Sequence, residues 1–141
     1  VYHNVAAAVK RLRQPKREMQ VWSAEEARRF LAANRGARDY PVFSFYLSTG
    51  LRRSEALALD WDDVKDGGLY LRVHKTVTWE AGRPVISPQP KTAAGRRDVP
   101  LNERIWRGLC EHRKAQERER DSPRYRDRGL VFPNRVGNVE I

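Results

Sequence analysis

Two oppositely charged residues stand three positions apart where a helix is expected to begin. Arg52 follows Thr49–Gly50, which interrupts an apolar helix, and Glu55 lies on the same face of the next helix. Because backbone N–H groups are unpaired at a helix start, an arginine there can help to bind a phosphate through two parallel hydrogen bonds. Glu55 would hold that guanidinium, which makes a fragment suited to phosphoryl transfer. Spacing alone favours the other interpretation, an ordinary buried Arg–Glu pair.

A second group of polar and basic residues lies in a loop between two predicted strands. Lys91 and Thr92 begin the loop, Arg96 ends it, and Arg97 follows at the start of the next predicted strand. A hairpin tip with these side chains can enter a DNA groove and contact phosphates. The alternative is an exposed basic loop without any ligand.

A third cluster of cations lies in residues 1–20, which look like the tail of a preceding unit. Pro15 interrupts the cluster. A basic, proline-broken segment is typical of a linker that lies along an anion, and equally of a solvated tail. The cations are Lys10, Arg11, Arg13, Lys16 and Arg17.

The charge of the whole chain agrees with an anionic partner. The 141 residues carry a formal net charge of +10 and a pI of about 10.3, and 40% of them are hydrophobic. Such a surplus argues for nucleic acid or an anionic membrane, not for a fold. The longest apolar stretch, residues 41–47, is too short to span a bilayer. A membrane protein is therefore not expected.

Cysteine and histidine usage indicates a reducing setting. Cys110 is the single cysteine and cannot form an internal disulfide, and the three histidines are scattered without metal-ligand spacing. Residues 1–9 lack the apolar stretch of a cleavable signal peptide. The sequence therefore predicts a cytoplasmic protein without a metal site.

Three helices are predicted in the first part of the chain, and they must position Arg52 and Glu55. Ser23 and Glu26 form a capping box that marks the start of the first helix. Pro41 opens a second helix over residues 42–48, which is apolar on most sides and therefore expected to be buried. A short third helix is expected over residues 52–59, followed by a turn.

After the three predicted helices, the sequence shows the alternating pattern of β-strands. Alternating apolar residues predict a first strand from residue 69 to 79, a second over residues 84–87 and a third over residues 97–101. Joined in sequence, the three strands would form a small antiparallel sheet. Asn102 can cap a final helix. This order predicts an α+β fold that is mainly helical with a small three-stranded antiparallel sheet.

The segment around Arg52 resembles a known family. The run TGLRRSEALALDWDDV is similar to the first conserved box of tyrosine recombinases, the phage-integrase family. By this resemblance Arg52 matches the first catalytic arginine, and Glu55 matches the carboxylate that supports the active site. The run PKTAAGRRDVPL is similar to the family's β-hairpin loop. Within it Lys91 matches the catalytic lysine, which donates a proton to the 5′-hydroxyl leaving group.

Two weaker matches extend the resemblance over most of the chain. The run VWSAEEA resembles the helix start that opens the family's catalytic domain, and LVFP resembles the segment before its second conserved box. Residues 1–20 then resemble the end of the core-binding domain and the linker that wraps the duplex. Residues 21–141 resemble a truncated catalytic domain.

The family's second box, a histidine, two residues and an arginine, does not occur in this sequence. None of the five tyrosines lies in the context of the nucleophile, so no nucleophile is assigned. For the complete protein, the resemblance implies two transesterifications through a 3′-phosphotyrosine link, without a nucleotide cofactor or a metal. It also implies a homotetramer on two DNA duplexes, in a protein that is bacterial, archaeal or phage-encoded and associated with the nucleoid. This chain alone is expected to bind DNA without cleaving it.

Two other function classes stay open. A non-enzymatic DNA-binding protein could retain this fold without the chemistry, and the coding sequence that follows Ile141 would separate it from a recombinase. A basic RNA-binding module ranks lower, because no aromatic-rich platform for single strands is visible in the sequence.

Overall fold

The computed structural model describes residues 18–88 and 95–139. Helix α1 spans Ala24–Ala33 and begins at the predicted capping box. The Ser23 hydroxyl accepts a hydrogen bond from the N–H of Glu26 at 3.2 Å, and the Glu26 carboxylate accepts one from the N–H of Ser23 at 2.7 Å. Each side chain therefore satisfies a backbone donor that the helix start leaves unpaired.

Helix α2 spans Tyr40–Thr49 and ends at Gly50, which adopts the left-handed conformation with φ 64°. The N–H of Gly50 donates to the carbonyl of Tyr46 at 3.0 Å and closes the last turn. Pro41 lies in the first turn, as predicted.

Helix α3, Arg53–Ala56, is a single turn and is shorter than the helix predicted over residues 52–59. Residues 57–59, which follow it, are apolar and buried, and their backbone leaves the helix to pair with the chain near residue 131. The carbonyl of Leu59 accepts a hydrogen bond from the N–H of Val131 at 2.9 Å. This long-range pairing replaces the last helical turns.

The strands form two antiparallel sheets, not one meander. Strand β2, Tyr70–Val73, lies between β1, Val64–Lys65, and β5, Arg97–Pro100. Strand β3, Thr76–Glu80, pairs with β4, Arg83–Ser87, in a separate hairpin. A three-stranded antiparallel sheet is present as predicted, but β1 comes from the predicted turn and β4 belongs to the hairpin.

The predicted continuous strand over residues 69–79 is interrupted at His74 and Lys75. Both side chains bind Asp63, whose carboxylate is buried. Strand periodicity cannot show this break, since the apolar residues on both sides alternate in the same way.

Helix α4 spans Glu103–Arg120 and begins at the predicted cap, where the Asn102 side chain accepts a hydrogen bond from the first turn at 2.9 Å. The buried Gln116 ties this helix to two other segments. Its amide oxygen accepts from the indole N–H of Trp61 at 2.9 Å, and its amide nitrogen donates to the carbonyl of Leu130 at 2.9 Å.

The core lies where β2, α2, α4 and the last described residues meet. Leu71 and Val73 of β2 are 0% and 1% exposed. The rings of Phe45 and Phe132 pack with centroids 5.0 Å apart, and Leu109 contributes from α4. Among the described residues, no helix has both the length and the hydrophobicity needed to cross a lipid bilayer.

Candidate active site

The centre of the site is the carboxylate of Glu55, whose side chain is only 4% exposed. Its Oε2 accepts a hydrogen bond from the backbone N–H of Arg52 at 3.0 Å, and its Oε1 accepts one from Arg52 Nη1 at 2.9 Å. Arg97 reaches the same carboxylate from β5, with Nη2 2.9 Å from Oε2 and Nη1 3.2 Å from Oε1. Both carboxylate oxygens are therefore paired with cations.

These hydrogen bonds keep Glu55 charged despite its burial. Burial raises the pKa of Glu55, but the hydrogen bonds from Arg97 and Arg52 outweigh it and lower the pKa to about 2. The hydrogen bond to Glu55 in turn raises the pKa of Arg97 above its usual value. The cluster thus holds a fixed negative charge between two permanent positive charges across the physiological pH range.

Arg52 presents most of its guanidinium to solvent. Its side chain is 76% exposed, at the start of α3, while its Glu55 partner is buried. A guanidinium has five N–H donors, and Nη1 of Arg52 supplies one of them to Glu55. The remaining donors can bind an anion, so the pair predicted from spacing is present in a geometry that suits phosphate binding.

Most of the other predicted site residues lie outside the described residues. These are Lys91 and Thr92 of the loop, and Lys10, Arg11, Arg13, Lys16 and Arg17 of the first segment. Arg96 is exposed. It borders an open cleft of about 490 Å³ that is also lined by His74 and Arg97. Arg97, predicted as a DNA contact, has its guanidinium on Glu55, and its contact with DNA stays a prediction.

A second charged cluster, which the sequence reasoning missed, lies around the buried carboxylate of Asp63. Its Oδ2 is 2.8 Å from Lys75 Nζ and accepts from the N–H of Asp60 at 3.1 Å, and its Oδ1 is 2.7 Å from His74 Nε2. Lys75 also binds the carboxylate of Asp60. The sequence predicts that the two acids lie in a turn and the two bases in a strand. Their opposite charges are the signal that could have indicated the contact.

Opposing effects set the protonation of this cluster. Burial raises the pKa of Asp63, but hydrogen bonds from Lys75, the Asp60 backbone and His74 lower it below the usual value. Burial likewise lowers the pKa of Lys75, but Asp60 and Asp63 together raise it above normal. Asp63 and Lys75 therefore stay ionised near neutral pH, and their ion pair fixes the turn that follows α3.

No metal centre is found in the described part of the chain, where no group of three or more histidine, cysteine, aspartate or glutamate side chains could hold an ion.

Comparison with curated proteins identifies relatives. No family model matches the chain. It is 34% identical over 113 residues to the ICEBs1 integrase of Bacillus subtilis, covering 77% of this chain and 30% of that protein. It is 32% identical over 135 residues to the XerC-like tyrosine recombinase of Caldanaerobacter subterraneus subsp. tengcongensis, covering 86% of this chain and 34% of that protein. The chain thus spans about a third of the length of these relatives.

Solved structures share its fold. The Tn1549 transposon integrase in complex with transposon right end DNA superposes with a TM-score of 0.65 at 20% identity, over 98% of this chain and 44% of that one. The XerA recombinase gives a TM-score of 0.63 at 17% identity, over 94% of this chain and 40% of that one. The α+β fold predicted from the sequence is thereby confirmed. Relatives and fold agree with the resemblance at Arg52, and the chain belongs to the tyrosine recombinase, or phage integrase, family.

Proposed function

We propose that this chain is a DNA-binding part of a site-specific recombinase that cuts and rejoins DNA through a 3′-phosphotyrosine intermediate. The observation that carries the proposal is the exposed guanidinium of Arg52, held at the start of α3 by the buried Glu55. The curated relatives are an integrase and a tyrosine recombinase, and the Tn1549 integrase was solved with DNA. These likenesses support the same assignment.

In this proposal each residue of the site has a distinct task. Arg52 donates hydrogen bonds to a non-bridging oxygen of the scissile phosphate and stabilises the charge that builds there in the transition state. Glu55 orients Arg52. Lys91 donates a proton to the leaving 5′-oxygen, which departs as a hydroxyl. The tyrosine ester conserves the energy of the phosphodiester bond, so rejoining needs no nucleotide cofactor.

The partner is double-stranded DNA at a recombination site. Residues 1–20 are proposed as the end of a core-binding domain and its linker, and residues 21–141 as part of the catalytic domain. The full-length protein would act as a homotetramer on two duplexes, associated with the nucleoid. The proposed DNA contacts are Lys10, Arg11, Arg13, Lys16, Arg17, Thr92 and Arg96.

The first test is the salt dependence of duplex binding. If the basic segment and the loop together contact about five phosphates, log affinity should fall against log salt with a slope of about −4 to −5. Fluorescence anisotropy with a labelled duplex at several salt concentrations measures this slope. A slope near zero would show that the basic residues do not contact the DNA backbone.

The second test asks whether this chain cleaves DNA. The sequence contains no histidine-x-x-arginine box and no tyrosine in the context of the nucleophile, so we expect no covalent product. The chain is incubated with a nicked recombination-site duplex and the products are separated under denaturing conditions. A complete tyrosine recombinase on its own site is the positive control, and any tyrosine-linked adduct of this chain would contradict the expectation.

The alternative is a non-enzymatic DNA-binding protein with the integrase fold. The coding sequence after Ile141 separates the two. A histidine-x-x-arginine box followed by a tyrosine supports the recombinase, while a stop or an unrelated domain supports the alternative.

A further inference from the structure

The backbone of Arg97 is held in the three-stranded sheet. Its backbone pairs with Val73 of the central strand β2, and the side chain of Val73 is 1% exposed in the core. From that fixed base the guanidinium of Arg97 crosses to α3. Its position is therefore set by the packing of the fold.

Arg97 makes a bidentate contact with the carboxylate of Glu55. Nη2 lies 2.9 Å from Oε2 of Glu55, and Nη1 lies 3.2 Å from Oε1. Parallel N–H···O bonds of this kind fix the plane and the rotation of a carboxylate as well as its place. Nη1 also donates to the carbonyl of Gly95 at 3.3 Å, which holds the turn leading into β5.

The exposed fractions of the two arginine side chains indicate which of them is held more firmly. Arg52 is 76% exposed, so water and side-chain entropy work against its pair with Glu55, as they do for surface ion pairs. Arg97 is 36% exposed and rises from a paired strand. The better-anchored arginine therefore fixes Glu55, and Glu55 then fixes the freer one.

We propose that Arg97 is a positioning residue that holds Arg52 in its phosphate-binding orientation through the carboxylate of Glu55, and that it does not itself contact DNA. The proposal rests on the proposed function of the site. It changes the role predicted for Arg97 from the sequence.

Arg96 provides a matched control because it is the adjacent arginine, carries the same charge and is exposed. Within the described ranges it takes part in none of the ion pairs. Arg97→Gln and Arg96→Gln therefore remove the same charge from neighbouring positions. Only Arg97→Gln also removes the bidentate contact with Glu55.

The deciding experiment is a double-mutant cycle in duplex binding. Affinity is measured by anisotropy for the unaltered chain, Arg52→Gln, Arg97→Gln, Arg96→Gln, and the pairs Arg52→Gln/Arg97→Gln and Arg52→Gln/Arg96→Gln. Loss of a hydrogen bond to a charged group predicts about a tenfold weaker affinity for Arg52→Gln. We expect a similar loss for Arg97→Gln, and no further loss when both are combined. Arg96→Gln should weaken binding by the same factor whether Arg52 is present or not.

A second readout does not involve DNA. The pKa of the Glu55 carboxyl is followed by carbon-13 NMR, and Arg97→Gln should raise it from its value of about 2. Arg96→Gln should leave it in place. Arg97→Lys keeps the charge without the bidentate contact, and it should lose duplex affinity as well. It also serves as the test variant if Arg97→Gln does not fold.

The outcomes separate the inference from the function on which it rests. If the unaltered chain does not bind the duplex, the proposed function fails, and with it the role of Arg97. If the chain binds and the effects of Arg52→Gln and Arg97→Gln multiply, Arg97 contacts DNA independently and the positioning role is wrong. An unchanged Glu55 pKa in Arg97→Gln would also overturn it.

Discussion

Replacing Lys75 by methionine is expected to lower the free energy of unfolding by about 3–5 kcal/mol, because it leaves a buried charge without its main partner. Lys75 is 15% exposed and lies 2.8 Å from the carboxylate of Asp63, which is 4% exposed. It also binds Asp60. Without the lysine, two carboxylates would face each other at low dielectric. His74 would be the remaining side chain bound to Asp63 among its described contacts.

The pH dependence of this loss distinguishes it from a packing defect. The pKa of Asp63 is lowered in the folded chain, so its contribution is present above its unfolded pKa, about 3.9, and is lost as pH falls through the folded value. The pKa of Lys75 is raised, so its contribution is present below about 10.4 and is lost as pH rises through the folded value. The difference between the two proteins should therefore be largest between about pH 5 and 10.

Chemical denaturation at several pH values measures the difference. It should shrink below about pH 4, where protonation of Asp63 removes the unpaired charge from the variant. Lys114→Met on the exposed face of α4 is the control and should change stability by less than about 0.5 kcal/mol at every pH. A loss in Lys75→Met that does not vary with pH would contradict the electrostatic explanation.

Features that depend on neighbours in sequence were predictable. The capping box at Ser23, the cap at Asn102 and the pair of Arg52 and Glu55 all join residues three positions apart. Helical geometry alone brings such residues together, so spacing predicts the contact without knowledge of the fold. The sixteen-residue run around Arg52 indicated the family, and the relatives agree with that indication.

Features that depend on the fold were not predictable from spacing. The bidentate contact of Arg97 with Glu55 joins residues 42 positions apart, and Trp61 and Gln116 are 55 positions apart. Periodicity shows which residues are buried, but it does not show which strands pair. It therefore placed β3 in the same strand as β2, and it gave no sign that Lys75 turns inward to a carboxylate.

Residues 129–139 form a segment that contacts the chain after α3. Residues 129 and 131 of this segment hydrogen-bond to the chain that follows α3. Further along the same segment, Gly137 lies close to the backbone of Arg126. A Cβ at Gly137 would lie 1.9 Å from the carbonyl oxygen of Arg126, and its φ is +84°. Arg126 is itself held by a 3.1 Å hydrogen bond from its N–H to the carbonyl of Val136.

Gly137→Ala should therefore lower the free energy of unfolding by about 2–4 kcal/mol, since it combines a strained positive φ with a backbone clash that no side-chain rotation relieves. Gly82→Ala separates the two effects. Gly82 has a φ of +75° but open space around its missing Cβ, so this variant should lose only about 1–2 kcal/mol. Urea unfolding of both variants gives the comparison. Equal losses would mean that the backbone at Arg126 moves aside freely and that the clash costs nothing.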